Sequence, residues 1–131
     1  MIVGAVPNPE GWERWKEAKA LLEPARALFG DDTPTMGVNE ALFAVMDGDE
    51  LLACATAWLS TDGYAEIKLI GGRDSHRWLK QLDDTIGAAA RGAGATRLVA
   101  IGRRGWLRAV TRLGWERIGE TDGMFVFSRG L

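Results

Sequence analysis

The stretch Ile70–Trp115 constrains the fold of this chain more than any other. It begins at the end of an apolar run, turns at Gly71-Gly72, and continues as a helical pattern. Trp78, Leu82, Ile86, Ala89 and Ala93 recur there at steps of three and four, which places them on one face. Asp74 or Ser75 reads as the N-cap, and Gly92 and Gly94 mark the end. Thr96–Ile101 follows as a near-continuous apolar run, the pattern of a central strand buried on both faces. Gly102–Gly105 then turns the chain into a short helix with Trp106, Leu107, Val110 and Leu113 inward. Gly114 stands where a left-handed C-terminal residue belongs. Strand, helix, strand, helix is a unit that can hold an anion at a helix start.

The flanking segments are read by the same periodicities. Ile2–Val6 is a short first strand stopped by Pro7. Asn8 reads as an N-cap with Pro9 at the first helical position. The helix after it carries Trp12, Trp15, Ala18, Leu22, Ala25 and Phe29 on one face. Pro24 predicts a kink or break near Leu22–Glu23, and Gly30 ends the segment. A turn-rich connection spans 31–37. Glu40–Met46 and Leu51–Leu59 flank Asp47-Gly48-Asp49-Glu50 and predict a hairpin. Tyr64–Ile70 alternates polar and apolar residues, which adds a third antiparallel strand. Trp115–Gly119 and Met124–Ser128 flank Thr121-Asp122-Gly123, a closing hairpin. The expected whole is one α+β domain over residues 1–131.

Composition excludes several function classes. The net charge of -2 argues against a surface built for polyanions, and the Trp residues are placed to face a core rather than to stack on bases. Nucleic acid is therefore disfavoured as a partner. The single Cys54 rules out an internal disulfide, and its apolar setting reads as a small buried hydrophobe. His76 is the only histidine, so neither a Cys/His metal site nor a Ser-His-Asp triad is supported. The N-terminus lacks a basic region and a long apolar region, so no signal peptide is expected. No run of about 18 apolar residues exists to span a membrane. The expected location is the cytoplasm, or wherever a larger assembly carries the chain.

The element order resembles the GNAT acetyltransferase fold, and so does the string L-V-A-I-G-R-R-G-W-L-R-A-V-T-R-L-G-W-E-R-I-G. Its portion G-R-R-G-W-L-R followed by L-G-W resembles small GNAT-like proteins encoded by tailed bacteriophages. The resemblance implies a central mixed, mostly antiparallel sheet flanked by helices, β-α-β-β-β-α-β-α-β-β. It also implies that acetyl-CoA phosphates would sit on backbone N–H groups between the fourth strand and the next helix, within a pattern R/Q-x-x-G-x-G/A. Arg73 opens that pattern here, but His76 and Trp78 occupy its glycine positions, and Gly71 and Gly72 precede it. The cofactor-binding candidates are Arg73, Ser75, His76 and Arg77. The family's proton-donating Tyr falls on Val110, which has no proton to give. Glu66, on the fourth strand, is the candidate catalytic base.

Two departures of three predict a GNAT-fold protein that no longer catalyses and works through its surface, as a phage virion or assembly component with no cofactor. The alternative is an acetyl-CoA-dependent N-acetyltransferase with an atypical site. Arg73, His76, Arg77 and Lys80 crowd the start of the long helix and oppose its dipole, which an anion there would relieve. Arg104, Arg108 and Arg112 recur every four residues, with Arg103 just before, and form a candidate partner-binding stripe. The expected partner is an acidic protein surface on a phage assembly subunit, a host protein or a second copy of the chain, met in the host cytoplasm or the virion.

Overall fold

Asp47-Gly48 and Asp122-Gly123 reverse the chain as the sequence predicts, with Gly48 at φ 60° and Gly123 at φ 79°. A left-handed residue is what a tight hairpin between right-twisted strands requires. The structure is a computed structural model and describes residues 1–30 and 32–131; of the expected connection over 31–37, residue 31 lies outside the described residues. Its strands are β1 (Ile2–Val6), β2 (Glu40–Asp47), β3 (Glu50–Leu59), β4 (Tyr64–Gly72), β5 (Arg97–Gly102), β6 (Glu116–Thr121) and β7 (Met124–Gly130). Its helices are α1 (Trp15–Leu28), α2 (Leu79–Gly92) and α3 (Leu107–Thr111). The strands form one seven-stranded sheet in the order β1-β2-β3-β4-β5-β7-β6, antiparallel throughout except between β4 and β5. That is the mixed, mostly antiparallel α+β architecture expected.

Each face of the sheet buries its own helix. Under α1, Ala18 and Leu22 pack on Leu42, Cys54 and Leu69. The expected inward stripe of α1 holds, with Trp12, Trp15, Ala25 and Phe29 partly buried against the same cluster. On the other face, Trp78, Leu82 and Ile86 pack on Val45, Ala55, Ile67 and Leu98. Each such aliphatic side chain contributes about 1.5–3 kcal/mol by leaving water.

Several local expectations are corrected. Asn8 adopts a left-handed conformation and its side chain caps nothing; Pro9–Gly11 is a single 3-10 turn, and α1 starts only at Trp15. Pro24 does not break α1, which runs through it to Leu28. Neither Asp74 nor Ser75 caps a helix through its side chain. Asp74 is left-handed and Ser75–Arg77 forms another 3-10 turn. That turn changes the phase of α2, which buries Leu82, Asp83, Ile86, Gly87 and Ala90 and leaves Ala89 and Ala93 exposed. Of β5, only Leu98 is fully buried, because the strand's far end faces a cleft. Leu107 is exposed, while Trp106, Val110 and Leu113 do turn inward.

Asp83 explains why α2 turns a carboxylate inward. Its Oδ1 accepts the Trp115 indole N–H at 3.0 Å, and Arg129 Nε lies 3.3 Å from Oδ2. That second contact is ionic and not aligned as a hydrogen bond. Gly87 makes the room, since a Cβ there would lie 2.6 Å from Arg129 Nη2. Burial pushes the Asp83 carboxyl above its ordinary range, against the opposing pull of Arg129 and Trp115. A carboxyl raised in this way binds its proton more tightly folded than unfolded. Its contribution is therefore full at acid pH and is lost as pH rises through the folded pKa. Arg129→Met leaves the ionised carboxylate without its cation, which costs about 3 kcal/mol at neutral pH. In urea titrations that loss shrinks as pH falls towards the carboxylate range, where Asp83 is neutral with or without Arg129.

Candidate functional site

β4 and β5 pair only from Tyr64–Ile67 against Arg97–Ala100, although β4 runs on to Gly72 and β5 to Gly102. Past that point neither strand has a partner on the side facing the other. The parting begins at a bulge. Thr56 pairs with Leu69 and Ala57 with Ile67, which leaves Lys68 as the extra residue of β4. The buried Thr56 hydroxyl accepts the Leu69 N–H at 3.2 Å, so the bulge leaves that donor satisfied. A bulge bends its strand and increases the local twist, which turns β4 away from β5.

The wedge so formed is a cleft of about 410 Å³. Leu21, Pro24 and Leu28 of α1 wall one side, and Lys68, Ile70, Asp74 and Ser75 follow along β4 and its loop. Ile101, Gly102, Arg103 and Trp106 close the other side. A smaller apolar gap of about 70 Å³ lies under α2 and α3, between Leu79, Ile86, Val110 and Phe127. Lys68 lines both spaces.

Glu66 stands two residues before Lys68, on the face of the sheet that carries α1. Its Oε2 accepts the Trp58 indole N–H at 3.0 Å. Burial pushes its carboxyl above the ordinary value; the Trp58 hydrogen bond and the Lys68 charge pull it down, and the Glu40 charge adds to the rise. Lys68 Nζ lies 3.0 Å from Glu40 Oε1. Glu66, Lys68 and Glu40 thus form one charged group beside the bulge. Glu66 itself does not line the cleft, and Lys68 stands between the two.

The candidate cofactor residues separate. Ser75 faces the cleft. Arg73 instead pairs with Glu50 at 2.7 Å, and Arg77 with Asp47 at 2.7 Å, both on the β2–β3 turn. Lys80 pairs with Asp84 at 2.9 Å, and His76 is exposed. Trp78 does not project over the loop. It is buried, its indole N–H donates to the Arg73 carbonyl at 2.7 Å, and it forms part of the cleft's inner wall. The arginine stripe also divides. Arg104 is tied to Glu120 and lies over the Phe125 ring, while Arg108 and Arg112 are exposed on and just after α3. Arg103 belongs to the cleft wall. Val110 packs against the core, and Tyr64 stacks edge-on to Trp58, 6.3 Å between centroids.

No protein-family model and no curated protein matches the chain. Solved structures do. An aminoglycoside 6'-acetyltransferase type Ii superposes with a TM-score of 0.76 at 15% identity, covering 99% of this chain and 97% of that one. An IAA acetyltransferase from Bacillus cereus gives 0.74 at 14% identity, covering 99% of each chain. A GNAT family acetyltransferase from Elizabethkingia anophelis with acetyl-CoA bound gives 0.73 at 14% identity, covering 99% and 97%. The chain has the GNAT acetyltransferase fold. These identities carry the GNAT architecture and leave the chemistry to the residues above.

Sequence reasoning missed Lys68, Glu40 and Thr56. Lys68 and Glu40 lie 28 residues apart and meet only across the sheet. The Gly-Gly turn has a structural reason unrelated to phosphate. A Cβ on Gly71 would lie 1.9 Å from the Leu21 carbonyl oxygen, and one on Gly72 would lie 2.5 Å from the Leu52 carbonyl oxygen. Gly71 lets α1 lie directly on β4 and so sets one wall of the cleft. Gly71→Ala pushes α1 off the strand and costs about 1–3 kcal/mol in chemical denaturation. Gly92→Ala meets nothing within 4 Å and is neutral or stabilising by less than about 1 kcal/mol.

Proposed function

We propose that this chain is an acyl-CoA-dependent N-acyltransferase in which Glu66 takes the proton from the acceptor amine. The observation that carries the reading is the open wedge between β4 and β5, with the Glu66–Lys68–Glu40 group at its apex. Solved neighbours with acetyl-CoA or coenzyme A bound share this fold, which supports acetyl-CoA as the donor. A wedge between parted strands exposes backbone N–H and C=O groups along β4, and an extended amide chain can pair with them as a further strand would. Ser75 and Arg103 face the same space. Among the described residues the Arg103 side chain has neither a hydrogen bond nor an ion pair, so its guanidinium is free for a phosphate.

Bound acetyl-CoA supplies an activated acyl carbonyl on a thioester. Glu66 receives the ammonium proton, directly or through one water, and so frees the nitrogen lone pair that attacks. The new C–N bond replaces the C–S bond. Val110 offers no proton at the exit position, so the second proton of the attacking nitrogen reaches the departing thiolate through water; a thiol with a pKa near about 8.5 is a workable leaving group without a dedicated acid.

Calorimetry with acetyl-CoA tests the reading. Binding in the micromolar range supports it, and a flat titration at millimolar ligand sinks it. Glu66→Gln lowers kcat/KM by about 10²–10³ while acetyl-CoA still binds. The pH profile has a definite sign. Burial holds the proton on Glu66, so the acid limb of kcat/KM lies above the ordinary glutamate range, and that limb is missing in Glu66→Gln.

A second reading is a docking role, favoured by Arg108 and Arg112, which are exposed and whose side chains make no hydrogen bond or ion pair among the described residues. Its partner is an acidic protein surface, for which a phage assembly subunit, a host protein or a second copy would serve. Arg104 takes no part, since Glu120 already holds it. Capture of such a partner that survives reversal of both charges removes this reading.

A further inference from the structure

We propose that Glu40 is a cation anchor of the acceptor site, and that the acceptor is a small alkyl compound carrying an ammonium group besides the amine that reacts. The proposal rests on the acyltransferase reading above and names its acceptor class.

Glu40, Trp58 and Glu66 lie directly opposite one another on β2, β3 and β4, so their side chains share one face of the sheet. It is the face under α1, where the neighbouring inward positions are Leu42, Cys54 and Leu69. Charged groups there need a reason. The Glu40 side chain is only 5% exposed. Its Oε1 is held by Lys68, and Gly37 lies so close that a Cβ there would be 2.5 Å from that oxygen. Its Oε2 is buried and has no donor among the described residues. Native proteins leave very few buried carboxylate oxygens unsatisfied, so an oxygen of this kind marks a place that expects a donor.

The chemistry of that donor is visible in the structure. Glu40 already holds an alkylammonium at 3.0 Å, the side chain of Lys68, and Lys68 itself lines the cleft. With Glu40 and Glu66 ionised and Lys68 protonated, the group carries one excess negative charge. A cation restores neutrality, whereas an anionic acceptor would add a second uncompensated charge. Trp58 lies between the two carboxylates, with Tyr64 edge-on to it. Aromatic rings beside the row suit the methylenes and positive charge of an alkylammonium. Glu40 and Glu66 are two strands apart, about 9–10 Å at the backbone. A four-carbon diamine with a hydrogen bond at each end spans a gap of that order. One nitrogen then reacts beside Glu66, and the other donates to Glu40 Oε2.

The test uses three four-carbon probes: butane-1,4-diamine, butylamine and 4-aminobutanoate. Thiol release from acetyl-CoA gives kcat/KM for each, and calorimetry gives diamine binding directly. The diamine is expected to exceed butylamine by about tenfold or more, the effect of one charged hydrogen bond. 4-Aminobutanoate is expected to be the poorest. In Glu40→Gln the advantage of the diamine collapses through KM, and its calorimetric signal is lost. Glu40→Asp keeps the charge and withdraws it by one methylene, so the preference moves to pentane-1,5-diamine; this variant serves if Glu40→Gln does not fold. Equal use of the three probes overturns the proposal, as does a diamine preference that survives both substitutions; Oε2 then holds only a trapped water. If butylamine is acetylated with no preference for the diamine, only this inference falls. If acetyl-CoA does not bind, the acyltransferase reading falls and takes this one with it.

Discussion

Past Ile67 and Ala100, two parallel strands that could have continued as partners part instead. Unpaired strand edges are costly wherever water cannot reach them, so a fold that parts its strands in mid-sheet has to satisfy or expose each freed group. Here the parting is prepared one strand earlier. Lys68 is the extra residue of a bulge, and the buried Thr56 hydroxyl accepts the Leu69 N–H on the β3 side. The freed edge on the other side faces a cleft rather than a core. On one face α1 closes this wedge, and Trp78 and Trp106, just before α2 and α3, line it as well.

Charge placement follows from the same geometry. The basic residues at the entry to α2 would destabilise a helix start if left alone. The β2–β3 turn lies close by and supplies Asp47 and Glu50, which pair with Arg77 and Arg73 across 30 and 23 residues of sequence. These exposed pairs contribute little stability. Their structural consequence is larger. Both arginines are drawn towards the hairpin, and Lys68, Asp74 and Ser75 on one wall and Arg103 on the other are the polar side chains that face the wedge.

The element order was legible because each element announces itself locally, by alternation in β4, by glycine turns at the two hairpins, and by apolar steps of three and four in α1. The site was less legible, and for a physical reason in each case. The bulge at Lys68 leaves no mark in a period-2 pattern, because one extra residue shows only against the partner strand. The phase of α2 depends on a 3-10 turn before it and on Asp83 meeting Arg129 from 46 residues away. Gly71 and Gly72 precede the phosphate pattern, and Leu21 and Leu52 are what require them. Glu66 was visible as a strand carboxylate. Its perturbation comes first from burial, which Trp58 and Lys68 oppose and the Glu40 charge reinforces, and only the folded sheet brings these together.

Stability alone does not account for that cluster. A buried ion pair seldom stabilises a fold more than well-packed apolar residues of the same volume would, because desolvation offsets the attraction. The surroundings would accept such residues, since Leu42 and Leu69 sit on the same face. A stabilising pair would also be expected to satisfy both oxygens of its carboxylate, and among the described residues Glu40 satisfies one. The chain therefore carries two carboxylates and one lysine where apolar side chains would serve the fold better. It places them at the one point where the sheet opens. The cost is intelligible if the group's work is done towards a cation that enters from the cleft.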